Sequence, residues 1–252
     1  TASAAAGVTT QLPRTARPSH YAIEVTPHAD RLTFDGKVRI DIEVLAPTSS
    51  IVLQAANLTF GTATLAAKGG KPQAAKVSVD AEQQTATFSF DKPLAPGRYT
   101  LSADYAGVIN TQANGFFALD YQTESGKKRA LYTQFENSDA RRFVPSWDEP
   151  NFKATFDLTV NAPSADMVVS NMPEASSKDL GNGMKQVVFQ TSPKMSTYLL
   201  FLGLGEFERA TLQGENGKGK PVEIGVIAQK GKVEQARFAL EGSRDVLREY
   251  ND

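Results

Sequence analysis

The feature that most constrains this chain is an alternation of apolar and polar residues with a period of two. It extends from His20 to about Phe207. Side chains spaced in this way lie on opposite faces of a strand, so each segment can bury one face and leave the other in water. That arrangement is typical of antiparallel or mixed sheets, and it predicts an all-β, sandwich-like domain. The alternation is clearest in four segments, at 21–25, 38–44, 86–90 and 99–105.

Glycine, proline and asparagine residues separate the alternating segments, as expected for turns. The clearest case is Gly181-Asn182-Gly183, which we interpret as the tip of a hairpin. The two strands of this hairpin are expected at residues 168–170 and 186–189.

The pattern changes after Phe207. Residues 214–220 are rich in Gly and Lys and indicate a loop or linker, and residues 222–227 indicate a short strand. Apolar residues then recur every three or four positions from 232 to 250, which predicts an amphipathic helix. A helix that folds back onto the sheet is the alternative to a new unit. We expect a flexible leader at 1–11, a β-rich domain at 12–207, and a linker, strand and helix of a second domain at 208–252.

Composition excludes several classes of protein. Lys plus Arg is 27 and Asp plus Glu is 28, with no basic run, so we expect no nucleic-acid partner. The absence of cysteine excludes disulfides, thiolate catalysis and zinc sites built from Cys. The longest apolar stretch, at 199–204, is too short to cross a membrane. The small residues at 1–7 resemble what remains after cleavage of an export signal, so we expect export, with a cytoplasmic location as the alternative.

The chain also lacks the residues for a complete catalytic site. Its only histidines, His20 and His28, are too far apart on an extended strand to hold one zinc ion, so we expect no metal to be bound. Asp148 and Glu149 are adjacent and lie between prolines, which favours a structural turn over an acid–base pair.

The segment from Tyr132 to Pro150 is unusual because it concentrates six charged residues and the only tryptophan of the chain. Such a segment is solvated, internally paired or directed at a ligand. Gln134 and Glu136 are two positions apart, so on an extended strand both project to one face while Phe135 projects to the other. A carboxylate and an amide oxygen at this spacing can bind one ammonium group, which presents three donors. The alternative is an ordinary exposed polar face.

The same segment resembles the signature of the M1 family of zinc aminopeptidases. The matching residues are Thr133-Gln-Phe-Glu136, Asp139-Ala-Arg-Arg142 and Trp147-Asp-Glu-Pro150, followed by Lys153-Ala154 and Phe156-Asp157. Further matches occur in order along the chain, at Pro18-Ser19-His20-Tyr21, Gly115-Phe116-Phe117, Ser170-Asn171-Met172-Pro173, Met195-Ser196-Thr197-Tyr198 and Gly205-Glu206-Phe207. Ser146 departs from the pattern, because many members carry Cys there.

The resemblance implies a fold and a role. Family members have a β-rich N-terminal domain followed by a thermolysin-like catalytic domain, which carries zinc and the motifs G-A-M-E-N and H-E-x-x-H. Neither motif occurs in this sequence. By this resemblance Gln134 and Glu136 bind the protonated α-amine of a peptide substrate, and the chain's partner is its own catalytic domain. Zinc belongs to the full-length enzyme, so this chain holds no catalytic residue and is inactive alone. Arg141, Arg142, Asp148 and Glu149 are expected to form an ion-paired corner behind the anchoring strand.

Two other functions stay open at this stage. The first is a β-sandwich binding or interaction module with no enzymatic connection. The second is a relative with the family fold that has lost peptidase activity.

Overall fold

A computed structural model describes residues 11–250 of the chain. These residues form mostly β-structure, which confirms the all-β prediction, with one α-helix, α1 (Arg237–Glu249). Short 3-10 helices lie at Ala140–Arg142, Thr197–Leu199 and Val233–Ala236. The strands are β1 (Ala16–His28), β2 (Thr33–Val44), β3 (Thr48–Gln54), β4 (Thr59–Ala67), β5 (Gln73–Ala74), β6 (Lys76–Asp80), β7 (Thr85–Leu94), β8 (Gly97–Val108), β9 (Gly115–Thr123), β10 (Gly126–Gln134), β11 (Thr155–Pro163), β12 (Met167–Ser170), β13 (Glu174–Gly181), β14 (Met184–Phe189), β15 (Leu202–Gly205), β16 (Phe207–Glu215) and β17 (Pro221–Gln229).

The largest sheet has eight strands in the order β13-β14-β11-β1-β2-β8-β4-β5. Its neighbouring strands are antiparallel except β1 and β11, which run parallel, so the sheet is mixed. Strands β1, β2 and β8 at its centre bury every second side chain, as their alternation predicts. The buried rows supply much of the core, including Tyr21, Ile23, Val25, Val38, Ile40, Ile42, Leu101 and Ala103.

Two smaller sheets complete the sandwich-like core. One has the order β3-β7-β6 and the other the order β12-β15-β10-β9. Phe60 of the large sheet contacts Phe88 of β7 with ring centroids 5.5 Å apart, and Phe34 contacts Phe116 of β9, also at 5.5 Å. Edge-to-face ring pairs of this kind add to the stability that buried area provides. The buried face of the large sheet is thus covered by strands of both smaller sheets.

The hairpin at Gly181-Asn182-Gly183 is present, but its first strand was assigned wrongly. The tip joins β14 to β13, whereas residues 168–170 lie in β12, which is a neighbour of β15. β13 lies at the edge of the large sheet, and every residue of it is exposed. A strand with no buried face shows no apolar alternation, so the pattern could not reveal it.

The chain divides into two compact units, the second of which contains residues 164–167 and the chain from 204 onward. In this unit β16 and β17 form an antiparallel hairpin, and α1 packs on it through the buried Leu240. The Gly/Lys-rich segment is the turn of this hairpin and not a linker, because the side chain of Asn216 accepts hydrogen bonds from the Lys218 and Lys220 amides at 3.0 and 3.1 Å. The unit therefore has two strands before its helix where one was predicted.

The expected leader at 1–11 lies, except for Gln11, outside the described residues. Within residues 11–250 no helix has the length and apolar character needed to cross a membrane.

Tyr105 and Tyr21 give a matched test of the core. Both are buried, and burial raises the pKa of each hydroxyl above its usual value. The Tyr105 hydroxyl has no hydrogen-bond partner among residues 11–250, whereas the Tyr21 hydroxyl accepts one from the Trp147 amide at 3.1 Å. Because an unpaired buried hydroxyl is costly, we expect Tyr105→Phe to raise the free energy of unfolding by about 1 kcal/mol. Tyr21→Phe is expected to lower it by about 1 kcal/mol, because it leaves the Trp147 amide unpaired.

Urea denaturation followed by circular dichroism measures both changes. Equal destabilisation by the two variants would contradict the assignment of Tyr105 as an unpaired hydroxyl.

Candidate functional site

The predicted anchoring residues lie where β10 ends. Phe135 follows the last residue of the strand, is 1% exposed, and packs on Phe143 with ring centroids 5.4 Å apart. Gln134 and Glu136 flank it and are both exposed, but only Gln134 lies in the strand, so the extended segment that was predicted to carry both residues ends before Glu136. Glu136 lies in a turn that the Asp139 amide closes by donating to the Phe135 carbonyl at 2.9 Å. The burial of one aromatic ring therefore holds a carboxylate and an amide at the surface on either side of it.

Both polar side chains are free to accept a ligand. Among residues 11–250, the structure gives Gln134 and Glu136 neither a side-chain hydrogen bond nor an ion pair, and the nearby arginines are paired with other acids. Glu136 is thus an exposed carboxylate that no cation of its own segment neutralises. An exposed carboxylate without a paired cation can bind a cationic group of a ligand.

Asp148 is the most deeply buried acid of the segment. Its side chain is 1% exposed and accepts hydrogen bonds from Arg141 Nε at 3.0 Å and Thr197 Oγ1 at 2.7 Å. The Arg141 guanidinium also reaches the Gln84 amide oxygen at 3.3 Å, and the Arg141 carbonyl accepts from the Ala56 amide at 2.9 Å. A buried carboxylate is stable only when charged and neutral donors satisfy it in this way. Arg141 and Asp148 therefore fix the loop that follows Glu136.

The backbone next to Asp148 is held by Gln54, which is 3% exposed. The Gln54 amide oxygen accepts from the Asp148 N–H at 2.8 Å. The Gln54 backbone also exchanges two hydrogen bonds with Ser146, at 2.9 and 3.1 Å. These hydrogen bonds join Gln54, at the end of β3, to Ser146 and Asp148 of the charged segment.

The four residues expected to form one ion-paired corner do not form a single cluster. Arg142 pairs with Asp139 at 2.7 Å, three positions earlier. Glu149 accepts hydrogen bonds from the Leu12 amide at 2.6 Å and from Arg14 at 2.8 Å. Of the four residues, only Arg141 and Asp148 pair with each other. Asp148 and Glu149 are adjacent in the turn, but their side chains contact different segments of the chain.

Sequence reasoning missed three contributors to this region, namely Arg14, Gln54 and Thr197. The Arg14 guanidinium lies 4.7 Å from the ring centroid of Phe152, and it also forms an ion pair with Glu149. These partners are 135 positions apart for Arg14 and Glu149, 94 for Gln54 and Asp148, and 49 for Thr197 and Asp148. No local pattern reports a contact over such separations. Thr197 lies within a segment that carried the family resemblance, which was the one available signal.

Ser146, where the resemblance expects Cys, is fully buried and its hydroxyl has no partner among the described residues. The residue is held by its backbone bonds to Gln54, and the side chain adds no interaction of its own. A small apolar group would fill this position without an unpaired oxygen.

The sheet face that carries Gln134 also exposes apolar side chains. Tyr132 faces Phe117 across β10 and β9, with ring centroids 5.9 Å apart, and both are half-buried. Leu119 follows on the same face and is 48% exposed. Of these three side chains only Leu119 is exposed.

The histidines have separate structural partners. His20 lies 2.7 Å from the Thr155 hydroxyl and 3.1 Å from Asp157, and His28 lies 2.8 Å from Asp35. In the part of the chain that the structure describes, no three metal-ligating side chains come together.

Comparison with known proteins identifies the family. The model of the Peptidase M1 N-terminal domain matches residues 17–199. The chain therefore belongs to the M1 peptidase family, and it contains that family's N-terminal domain, as the resemblance predicted.

Individual relatives match nearly the whole chain. It is 40% identical to an aminopeptidase N of Acetobacter pasteurianus over 243 residues, which cover 96% of this chain and 66% of the relative. It is 36% identical to aminopeptidase M1-C of Oryza sativa subsp. japonica, covering 96% of this chain and 27% of the relative. A puromycin-sensitive aminopeptidase of Caenorhabditis elegans is 31% identical, with 96% and 25% covered. The chain thus spans between a quarter and two thirds of the length of these relatives, and none of these matches supports the expectation of export.

The Arg141–Asp148 pair gives a test of what holds the region together. We expect Asp148→Ala to lower the free energy of unfolding by about 3–5 kcal/mol, because it leaves the Arg141 guanidinium buried without its anion. Glu43→Ala is the matched control, since Glu43 pairs with Arg17 at 2.6 Å but both side chains are substantially exposed. Loss of an exposed pair changes stability by about 1 kcal/mol or less.

Equilibrium unfolding in urea measures both variants. A loss at Asp148 no larger than the loss at Glu43 would show that the buried pair does not organise the loop.

Proposed function

We propose that this chain is the substrate-anchoring N-terminal region of a zinc aminopeptidase, in which Gln134 and Glu136 bind the protonated α-amine of a peptide. The observation that carries the proposal is the unpaired state of Glu136 beside a segment whose arginines are paired with other acids. The relatives' names, all aminopeptidases, support peptide substrates with a free N-terminus.

The chemistry of the site suits an ammonium group. An ammonium donates up to three hydrogen bonds and carries one positive charge. The Glu136 carboxylate can accept one or two of these bonds and neutralise the charge, and the Gln134 amide oxygen can accept another. Both residues are exposed at the end of a strand whose other face is buried, so the ligand meets a surface that is already ordered.

The anchor explains why an aminopeptidase cleaves only the first peptide bond. Zinc in the full-length enzyme supplies the Lewis acid and the activated water for hydrolysis. Gln134 and Glu136 fix the peptide terminus, so only the bond next to that terminus lies within reach of the attacking group. A peptide with a blocked amine loses the charge that Glu136 recognises and is therefore excluded.

The catalytic domain is proposed as the element that covers the apolar face beside Gln134. Leu119, which is 48% exposed, gives that face a large apolar side chain that a second domain can cover. We also propose that residues 208–252 begin the catalytic domain. In support, α1 exposes Phe238, Val246 and Tyr250 at 88%, 53% and 87%, although its hairpin covers Leu240.

The anchoring role is tested in the full-length enzyme. We expect Glu136→Gln to raise KM, lower kcat, and reduce kcat/KM for an unblocked dipeptide about 10- to 100-fold, because a charge-assisted hydrogen bond contributes about 1.5–3 kcal/mol. Gln134→Ala is expected to cost about fivefold, because the Gln134 amide oxygen accepts from the ammonium as a neutral group and does not neutralise its charge. Glu174→Gln is the control, since Glu174 is exposed on an edge strand of the large sheet. Unchanged kcat/KM in Glu136→Gln would remove the anchoring role.

The dependence on a second domain is tested with this chain alone. We expect it to hold zinc far below one ion per chain after dialysis, and to hydrolyse no amino-acid anilide above the uncatalysed rate. Metal analysis and a chromogenic assay measure the two quantities. One tightly held zinc per chain, or zinc-dependent turnover, would mean that this chain carries a catalytic centre of its own.

A further inference from the structure

β3 lies at the edge of its sheet, with β7 on one side only. Gln54, the last residue of β3, directs both its N–H and its C=O to Ser146 and so away from β7. Residues two apart on an antiparallel strand point their backbone groups to the same side. Val52 therefore directs its N–H and C=O away from β7 as well, toward the outer edge of the sheet.

Val52 is the open position on this edge. At one side of it, the backbone of Gln54 is satisfied by Ser146. At the other side, the Thr48 hydroxyl donates to the Ser50 carbonyl at 2.8 Å and accepts from the Ser50 amide at 3.3 Å. Among residues 11–250 nothing bonds to the outward N–H and C=O of Val52. One donor and one acceptor of the main chain thus remain free between two closed positions.

A groove of about 530 Å³ lies along this edge, and Val52 and Gln54 line it. Its other walls are the segment 11–13, the turn 82–85, Ser138 and Arg141. Gln54 is 3% exposed and its amide oxygen is used by the Asp148 N–H, whereas its Nε2 has no acceptor in the described part of the chain. Because Gln54 lines the groove, this donor is available to a ligand that supplies an acceptor.

The residues that line the groove determine which class of ligand it can bind. Arg141 is already paired with Asp148, and Glu82 adds a negative charge, so the groove has no free cation for a phosphate or carboxylate. Glutamine side chains at 11, 54, 83 and 84 make the walls rich in neutral amides. A peptide main chain offers the alternating donors and acceptors that such an edge and such walls can satisfy.

We propose that the open edge of β3 is a second peptide-binding site, which takes an extended segment by strand addition. The bound segment donates to the Val52 carbonyl and accepts from the Val52 amide, as in an antiparallel or parallel ladder. Gln54 Nε2 donates to a further carbonyl of the same segment. Recognition is through the main chain, so it does not depend on a free terminal amine and is separate from the site at Gln134 and Glu136.

The test uses a probe that cannot bind through an α-amine. The peptide acetyl-Lys-Thr-Val-Ser-Val-Lys-amide is titrated into the isotopically labelled chain, up to the millimolar range, and followed by two-dimensional amide NMR. We expect saturable shifts of the Val52 backbone amide and the Gln54 side-chain amide. The same peptide with every backbone amide N-methylated is the matched control; it cannot donate to the Val52 carbonyl, so we expect it to bind at least about tenfold more weakly. Absence of saturable shifts for the first peptide, or equal shifts for both, would overturn the proposal.

Two variants separate this site from the proposed anchor. Val52→Pro removes the outward N–H, which makes no internal bond, and proline is tolerated at such edge positions. We expect it to weaken binding roughly tenfold or more while the remaining amide spectrum stays dispersed. Glu136→Ala is expected to leave binding of the capped peptide unchanged. Full binding by Val52→Pro, or its loss in Glu136→Ala, would show that the peptide does not bind at β3.

Discussion

The Asp148 carboxylate is the interaction on which the charged segment depends. It is removed from water almost completely, and Arg141 and Thr197 donate hydrogen bonds to it. The backbone beside it is joined to β3 through Gln54. One buried anion therefore connects three regions of the chain that are distant in sequence. The turn that carries Glu136 enters this connected region through the short helix at Ala140–Arg142.

This connection explains why a segment with so many charges has one acid left for a ligand. Asp139 and Asp148 are matched by Arg142 and Arg141 within the segment. Glu149 is matched by Arg14 from the start of the described chain. Glu136 is the remaining carboxylate of the segment, and it follows a strand whose inward residue, Phe135, cannot move without exposing an aromatic ring. The internal pairs therefore keep the arginines away from Glu136 as well as stabilising the loop.

The sequence predicted those features that depend on local periodicity. Alternation identified β1, β2, β7 and β8, because each has one buried face. It also predicted that Gln134 and Glu136 are exposed on either side of Phe135. It failed for β13, which has no buried face, and for β16, which precedes the Gly/Lys-rich segment that was interpreted as a loop or linker. The ion pair between Glu149 and Arg14 could not be predicted either. It depends on where the chain before β1 lies in the fold, and no sequence pattern near Glu149 reports that position.

Gln54 shows how the two proposed sites depend on the same buried pair. Its amide oxygen is fixed by the Asp148 N–H, and an amide group is planar, so the direction of Nε2 is fixed at the same time. Arg141 holds the Asp148 side chain on one side and contacts Gln84 in the groove wall on the other. The geometry of the β3 edge and the geometry of the turn at Glu136 are therefore set by a shared set of hydrogen bonds. A peptide could bind at either place without rearranging the segment, because in both cases the groups it meets are held by contacts behind the surface.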